Sequence, residues 1–393
     1  MSISVMSTPV PASSSADTGE MSLIEALGVA IEAADKGSRI IWQCVEKRRL
    51  AMAAAATFHT TSALAAGGAA SVECENKTSA TNLVTQHSKQ CRETIIRILR
   101  QYSEEVQREK PHLRFAFLTE ELNPGTPLSD DYTWVVDPID GAASFVHGLP
   151  DCCISIGLTY RKQPVLAVVF TPFISSGVRL TVAAAAVLNT KMLDEHGTAA
   201  APTTALPPTP PTPPVVPECN GELFTAIKGF GAFVNGRQVR VNAKVVPATS
   251  VVVFNHPCGV MLSTAEAASP DGAAIRRRKC DAAIDCSMAM REELLRLPVA
   301  ALRCYGSCAA TLAQVAAGRV DAYLEPAGKA WDVCAGSLLV TEAGGVVCNM
   351  LGRPLDMAHD TTIVAAATQE MADLMTEKCV RHGFGQYWLV EKE

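Results

Sequence analysis

An apolar run that ends in two carboxylates is the feature that most constrains the fold of this chain. Residues 134–141 read Trp-Val-Val-Asp-Pro-Ile-Asp-Gly, and Ala142-Ala143-Ser144 follow. The β-branched residues favour a strand, and we expect Pro138 to end its hydrogen-bonded ladder because proline has no backbone donor. The small residues after Gly141 are typical of a helix N-terminus. The stretch therefore predicts a strand that leads through a tight turn into a helix.

The two carboxylates of this stretch suggest a metal site. Asp137 and Asp140 stand three residues apart at the predicted strand end. Mg²⁺ prefers oxygen ligands, and the free N–H groups at a helix N-terminus bind anions. A metal beside an anion site is what phosphoryl transfer requires. A solvated turn rich in aspartate would have the same local sequence, so the rest of the chain has to decide between them.

Two distant stretches share this form. Residues 115–121, Phe-Ala-Phe-Leu-Thr-Glu-Glu, are another apolar run that ends in carboxylates. Trp331-Asp332 precede a long apolar helical pattern that Glu342-Ala343-Gly344-Gly345 close. Together the three resemble the inositol monophosphatase family of Mg²⁺-dependent, lithium-sensitive phosphatases, whose motifs have the forms GEE, WxxDPIDGTxNF and WDxAAxxxxxxEAGG. The resemblance runs from about residue 21 to the C-terminus and is interrupted by two insertions.

The resemblance implies a set of site residues. The catalytic carboxylates and metal ligands would be Glu120, Asp137, Asp140 and Asp332, with the backbone oxygen of Ile139. They would hold two or three Mg²⁺ ions, and Asp137 would bridge two of them. The implied substrate-binding residues are Lys77, Gly141, Ala142, Gly306, Ser307, Cys308 and Glu325. Gly141 and Ala142 would offer backbone N–H groups to a phosphate, and Glu325 would bind substrate hydroxyls.

The chain departs from the family pattern where the attacking water is oriented. The threonine that the family has after DPIDG is Ala142, and the aspartate expected five residues after Leu83 is Ser88. Asn82 likewise replaces an aspartate before Leu83. Ala142 has no hydroxyl and Ser88 has no charge, and positioned general bases are worth ~10²–10⁴-fold in rate. We therefore expect binding of metal and phosphate to survive while turnover falls.

Composition narrows the remaining classes of protein. The formal net charge of −6 and the lack of a basic stripe argue against a nucleic-acid-binding protein. No apolar run is long enough to span a membrane. The 14 cysteines show no zinc-type spacing, so we expect reduced, buried thiols in a cytoplasmic protein. Residues 1–20 are rich in serine and proline and lack Lys and Arg, and we expect a disordered tail there.

The order of the motifs along the chain predicts one catalytic domain over residues 21–393, with halves of about 21–246 and 247–393. The first half should contain a helix from Leu23 towards Arg49, a second helix carrying Cys91, Ile95, Ile98 and Leu99, and a hairpin around Lys162-Gln163-Pro164. Insertions are expected at about 51–75 and 174–217, with a strand resuming at Glu222. The last third alternates strands and helices. We expect an α+β or α/β layered sandwich of the sugar-phosphatase type, with the site where the halves meet.

The function favoured at this point is a Mg²⁺-dependent phosphomonoesterase acting on myo-inositol monophosphate, a small phosphorylated polyol, as a homodimer. Phosphatases for other sugar or nucleotide phosphates are close alternatives. A second class is a catalytically weakened relative that serves as a binding or scaffold subunit, which Ala142 and Ser88 favour. The proline-rich residues 206–214 could bind an aromatic-lined groove of a protein partner, but an extended surface loop is the favoured interpretation.

Overall fold

The computed structural model describes residues 21–57, 74–76, 83–120, 127–174, 221–255, 269–359 and 362–384. The predicted tail at 1–20, Lys77, Asn82 and nearly all of the insertion at 174–217 lie outside these residues. Side chains between 47 and 86 are also outside the described part.

Two long helices open the described chain, α1 (Leu23–Thr57) and α2 (Gln86–Glu109). Ser22 begins α1, because its hydroxyl accepts a hydrogen bond from the backbone N–H of Glu25 at 3.3 Å. The helix continues past its predicted end near Arg49, because the alanine-rich start of the expected insertion has high helix propensity. On α2, Cys91, Ile95 and Leu99 are buried as predicted, and Ile98 lies at the edge of the same core.

The first half of the described chain contains nine strands. They are β1 (Cys74–Asn76), β2 (Leu83–Thr85), β3 (Phe115–Thr119), β4 (Tyr132–Asp140), β5 (Cys153–Tyr160), β6 (Gln163–Thr171), β7 (Glu222–Ile227), β8 (Gly231–Val234) and β9 (Arg237–Val239). The first two pair with each other, and β3 to β9 form one sheet in sequence order. Only the β3–β4 pair of that sheet is parallel. A short helix, α3 (Ala142–His147), follows β4 directly.

The predicted hairpin is present, but its turn lies earlier than expected. Arg161 and Lys162 have positive φ values of 50° and 61°, as a two-residue hairpin turn requires. Gln163 and Pro164, predicted in the turn, belong to β6. Pro164 is tolerated because the β5–β6 register shifts at Leu158 and Thr159, where a residue without an N–H costs less.

Strand β7 pairs antiparallel with β6, with Thr171 opposite Glu222, so the predicted resumption of the strand at Glu222 is confirmed.

Deleting residues 200 to 216, which lie between β6 and β7, should leave the melting temperature nearly unchanged. The deletion shortens the connection between two strands whose pairing is already set, and even a doubling of loop length costs only about 0.6 kcal/mol. Thermal unfolding of the deletion variant, beside a variant with a Gly/Ser segment of equal length, checks this. A large drop in the melting temperature of both variants would show that residues 200 to 216 stabilise the folded protein.

The second half supplies a five-stranded sheet in the order β11-β10-β12-β14-β13, again within the described residues. Its elements are β10 (Val251–Phe254), α4 (Gly272–Arg296), β11 (Ala301–Arg303), α5 (Cys308–Ala316), β12 (Ala322–Glu325), α6 (Ala330–Glu342), β13 (Val346–Cys348), β14 (Ile363–Ala366) and α7 (Gln369–Arg381). Neither α4 nor β14 is among the elements predicted from the sequence. The buried face of α4 contains Ala283, Ser287, Met290 and Leu294 at helical spacing, but small residues make that stripe a weak signal.

The helices and sheets form alternating layers, which confirms the predicted layered sandwich. Helices α1 and α2 cover one face of the larger sheet. Helices α5 and α6 lie between the two sheets, and α4 and α7 cover the far face of the smaller sheet. Close approach of α6 depends on two glycines, because a Cβ at Gly157 would lie 2.5 Å from Cys334 Sγ and one at Gly336 would lie 2.5 Å from Leu312 Cβ. This packing brings the start of α6 against β4 and β5.

Within the described residues, no helix combines the length and the apolar character needed to cross a membrane.

Candidate active site

The end of β4 carries the two central carboxylates. The strand continues to Asp140 rather than ending at Pro138, but its pairing with β5 shifts between Asp137 and Asp140. Residues three apart on a regular strand point to opposite faces, and the irregularity at Pro138 removes that constraint. Asp137 Oδ1 accepts a hydrogen bond from the backbone N–H of Ile139 at 2.9 Å, which fixes the carboxylate at the turn. Both acids can therefore serve one site.

The third carboxylate comes from the first turn of α6. Asp332 Oδ2 accepts a hydrogen bond from the backbone N–H of Lys329 at 2.7 Å. The start of this helix is held on the larger sheet by Ser155, whose hydroxyl donates to the carbonyl oxygen of Trp331 at 3.1 Å. Because Ser155 is paired with Asp137 across the sheet, this contact brings Asp332 to the β4 end.

One carboxylate oxygen from each of Asp137, Asp140 and Asp332 lies within 4.8 Å of the other two. Asp137 and Asp140 are only 3% and 7% exposed. Glu120, half-buried directly after β3, lies near enough for its charge to raise the pKa of all three. The structure therefore brings the four predicted carboxylates to one place, next to the Ile139 peptide.

Burial and mutual repulsion disfavour the charged form of these acids. Burial, followed by repulsion from the neighbouring carboxylates, raises the pKa of Asp137 and Asp332 well above the usual range. Burial also raises the pKa of Asp140 to about 6, against the opposing effect of hydrogen bonds from Ser307 and Ala309. A buried group of oxygen donors that repel one another fits a hard divalent cation, which would offset the repulsion.

This electrostatic balance predicts a pH-dependent response to Mg²⁺. In the metal-free protein the folded state binds the Asp140 proton more tightly than the unfolded chain does, so the free energy of unfolding falls as the pH rises towards about 6. Protons and Mg²⁺ compete for the same oxygens. We therefore expect Mg²⁺ to raise the melting temperature more at about pH 7.5 than at about pH 5.

Thermal unfolding with Mg²⁺ and with a chelator, at both pH values, measures this difference. Asp140→Asn removes one of the competing protons and should flatten the pH dependence. An Mg²⁺-induced shift of equal size at both pH values would contradict a carboxylate metal site.

The predicted phosphate-binding turn lies beside these carboxylates. Gly141, with φ of 84°, precedes α3, and a Cβ there would lie 2.7 Å from the carbonyl oxygen of Asp151. Glycine is therefore required at this position both for its backbone conformation and for space. Ala142 is half-buried at the first position of α3. Backbone N–H groups at this turn could receive an anion.

Residues 306–308 are brought to the same place. The hydroxyl of Ser307 and the backbone N–H of Ala309 donate to Asp140 Oδ2 at 2.7 and 2.6 Å. The N–H of Gly306 donates to Asp151 Oδ2 at 2.7 Å, and a Cβ on Gly306 would lie 2.2 Å from Ser144 Oγ. Ser307 is therefore hydrogen-bonded to Asp140, a predicted metal ligand. Gly306 fits in this turn only because it has no side chain.

Glu325 and Cys308 complete the part of the site formed by the smaller sheet. Glu325 ends β12 and is 7% exposed. Cys308 is buried, and burial first, then the charges of Glu325 and Asp332, raises the pKa of its thiol well above the usual range. Both predicted substrate residues therefore lie near the acidic cluster. Lys77 is outside the described residues.

Ser88, predicted to stand where the family has a water-orienting aspartate, lies on a helix that contacts the end of β4. Ser88, 7% exposed, lies in the first turn of α2, directly after β2. One turn later, Cys91 Sγ lies 3.5 Å from the carbonyl oxygen of Pro138, and β2 contacts α3. Ser88 and Ala142 thus belong to elements that meet at the β4 end.

Three polar residues near the site, Asp151, Asn255 and Tyr323, are not among those predicted from the sequence. Tyr323 had a usable signal, because it is two residues before Glu325 on a strand and must share its face. Asn255 is the first polar residue after the apolar run of β10, where parallel sheets place ligand-binding groups. Asp151 had none, since it lies in an irregular connection between α3 and β5.

The chain is similar to a known protein family, to individual proteins and to solved structures. A model described as the inositol monophosphatase family matches residues 42–383. An inositol monophosphatase 1 from Solanum lycopersicum is 28% identical over 360 residues, covering 91% of this chain and 95% of that protein. A Nus factor SuhB from Xylella fastidiosa is 30% identical over 258 residues, covering 64% and 69%. The crystal structure of the extragenic suppressor protein suhB from Bartonella henselae has a TM-score of 0.58 at 22% identity, covering 90% of this chain and 98% of that one.

Proposed function

Since the chain belongs to the inositol monophosphatase family, we propose that it is a Mg²⁺-dependent phosphomonoesterase that hydrolyses myo-inositol monophosphate to inositol and phosphate. The observation that carries the proposal is the group of three carboxylate oxygens within 4.8 Å of one another, beside the glycine turn that begins α3. A metal site and an anion site side by side are the parts that phosphoryl transfer needs.

In this proposal the metal ligands are Glu120, Asp137, Asp140, Asp332 and the backbone oxygen of Ile139. Two or three bound Mg²⁺ ions would activate a water, hold the phosphate and neutralise the leaving alkoxide. The protein itself holds these ligands in position. Ser307 and the N–H of Ala309 donate to Asp140 Oδ2, so the other oxygen, Oδ1, would be the one that binds the metal.

We expect groups around α3 and β12 to bind the substrate. The backbone N–H groups of Gly141 and Ala142 would bind the phosphate, and Lys77 would add a positive charge. Gly306 and Cys308 would line the pocket. Glu325 would bind a hydroxyl of the polyol, because a buried carboxylate accepts hydrogen bonds and donates none. Phosphatases for other sugar or nucleotide phosphates share this chemistry and are the alternatives within the same class.

A weakened enzyme that serves as a binding subunit is the second candidate. Ala142 and Ser88 favour it, because neither side chain can act as the family's threonine and aspartate do in orienting water. A relative that carries the name Nus factor also supports a role besides turnover. Inhibition by lithium and a homodimeric state, both implied by the family resemblance, belong to the first candidate.

Phosphate release by the purified full-length chain tests the proposal. The assay compares myo-inositol 1-phosphate, a sugar phosphate and a nucleoside monophosphate, each with Mg²⁺ and with a chelator. We expect Mg²⁺-dependent release that is fastest with the inositol ester. Fastest release from another ester would redirect the substrate assignment. Mg²⁺-dependent binding of phosphate without any turnover would favour the binding subunit.

A further inference from the structure

Three parallel strands place a polar network at one end of the smaller sheet. Val253 of β10 is paired with Arg303 of β11, and Phe254 of β10 is paired with Leu324 of β12. Continuing both registers brings Asn255 between residue 305 on one side and residue 325 on the other. The backbone N–H of Asn255 donates to the carbonyl oxygen of Leu324 at 3.2 Å, which extends the ladder to this point. The carboxyl ends of parallel strands are where such sheets bind ligands.

Glu325 is held by three donors. Its Oε2 accepts from Asn255 Nδ2 and from the hydroxyl of Tyr323, both at 2.9 Å. Its Oε1 accepts from the backbone N–H of Ala327 at 3.0 Å. A carboxylate has about four acceptor positions, so these contacts leave about one, on Oε1. The carboxylate is fixed in orientation and can accept from a single further donor.

Asn255 also reaches the turn that carries Gly306 and Ser307. Its Oδ1 accepts from the backbone N–H of Tyr305 at 2.9 Å. Only one orientation of the amide satisfies the network, because the oxygen has to meet the Tyr305 donor and the nitrogen has to meet the Glu325 carboxylate. The side chain is 6% exposed. No aspartate or leucine could make both bonds, so this position needs an amide.

We propose that Asn255 and Tyr323 are positioning residues for substrate recognition, because they hold the Glu325 carboxylate so that it accepts one substrate hydroxyl. Asn255 also sets the distance between that carboxylate and the Tyr305–Ser307 turn. The inference rests on the proposed function. From Asn255 the contacts continue through the turn to Ser307 and Asp140, so the group that binds the hydroxyl and the group that binds the metal share one support. The substrate is thereby selected for a hydroxyl at a defined distance from its phosphate.

The test compares two esters, myo-inositol 1-phosphate and p-nitrophenyl phosphate, which has no ring hydroxyl. Asn255→Asp keeps the acceptor for Tyr305 and replaces the donor to Glu325 with a second carboxylate that repels it, and Tyr323→Phe removes the other donor. Each should lower kcat/KM for the inositol ester about tenfold or more, mainly through KM, because hydrogen bonds to charged groups are strong. The loss with p-nitrophenyl phosphate should be much smaller.

A matched control lies at the opposite end of β12. Asn242 Nδ2 donates to Asp321 Oδ1 at 2.9 Å, an amide–carboxylate bond of the same chemistry away from the site. Asn242→Ala should lower the melting temperature without changing the ratio of kcat/KM between the two esters. A second check is a double-mutant cycle, in which Asn255→Asp should have much less effect on KM when Glu325→Gln is already present.

Equal losses on both esters, or full additivity with Glu325→Gln, would overturn the inference. If the wild-type protein releases no phosphate from either ester, the proposed function fails, and calorimetric titration decides the inference separately. Myo-inositol 1-phosphate with Mg²⁺ should then bind the wild type more tightly than inorganic phosphate does, and Asn255→Asp should remove that difference. Unchanged affinity in the variant, or no preference in the wild type, would overturn the inference.

Discussion

Asp140→Asn is expected to abolish Mg²⁺-dependent phosphate release while leaving the fold intact. The hydroxyl of Ser307 and the N–H of Ala309 both donate to Asp140 Oδ2. An asparagine has to present its oxygen to these two donors, so its NH₂ group then takes the place of Oδ1, the proposed metal-binding oxygen. A donor in that place cannot bind a cation. The loss should exceed the roughly 10–100-fold that is typical of changing a group that only supports a metal ligand.

Folding should not suffer from this change. The variant keeps both hydrogen bonds to the amide oxygen and removes one of the mutually repelling charges that raise the pKa of Asp332. We therefore expect the metal-free variant to melt at the wild-type temperature or above it, and Mg²⁺ to raise that temperature less than in the wild type. Asp131→Asn, the same substitution at an exposed aspartate directly before β4, is the control. Turnover like that of the wild type would show that Asp140 is not a metal ligand.

Restoring the water-orienting pair is the second change with a large expected effect. Ala142→Thr together with Ser88→Asp should raise kcat by roughly 10²-fold, within the range for a positioned general base. The two positions belong to elements that meet at the β4 end, since β2 contacts α3 and Cys91 contacts Pro138. Each single substitution should do less, because a hydroxyl without its carboxylate, or the reverse, cannot align the water.

The double variant also has a predictable cost. Ser88 is buried, so an aspartate there adds a buried charge and should lower the melting temperature of the metal-free protein. Mg²⁺ should recover part of that loss. Steady-state kinetics and titration with inorganic phosphate on the wild type, both single variants and the double variant measure these effects. A fast wild type that gains nothing would mean that another group activates the water, and a double variant that binds phosphate but stays inactive would favour the binding subunit.

Much of the fold could be predicted because its local signals agree with its tertiary structure. The apolar face of α2, the strands β3 to β7 and the buried helix α6 all follow from residue periodicity and length. The resemblance covered the same elements, since its motifs lie at their ends. Where signals were weak the prediction was wrong or silent, as for the small-residue stripe of α4 and the turn at Arg161 and Lys162.

The sequence by itself determined which residues could form the acidic cluster. Asp137 and Asp140 are local neighbours, and Trp331-Asp332 begins a helix that is apolar on every side and so has to be buried. Family motifs added Glu120 and Glu325. These conclusions need no knowledge of strand pairing.

Only the tertiary structure decided how these residues act together. The shifted β4–β5 register brings Asp137 and Asp140 into one site, and the registers of β10, β11 and β12 place Asn255 between Tyr305 and Glu325. Register depends on hydrogen bonds between segments that are distant in the chain, and a shift of one residue would turn each side chain to the other face. No local pattern encodes that choice, because it is made by the packing of both sheets around α5 and α6.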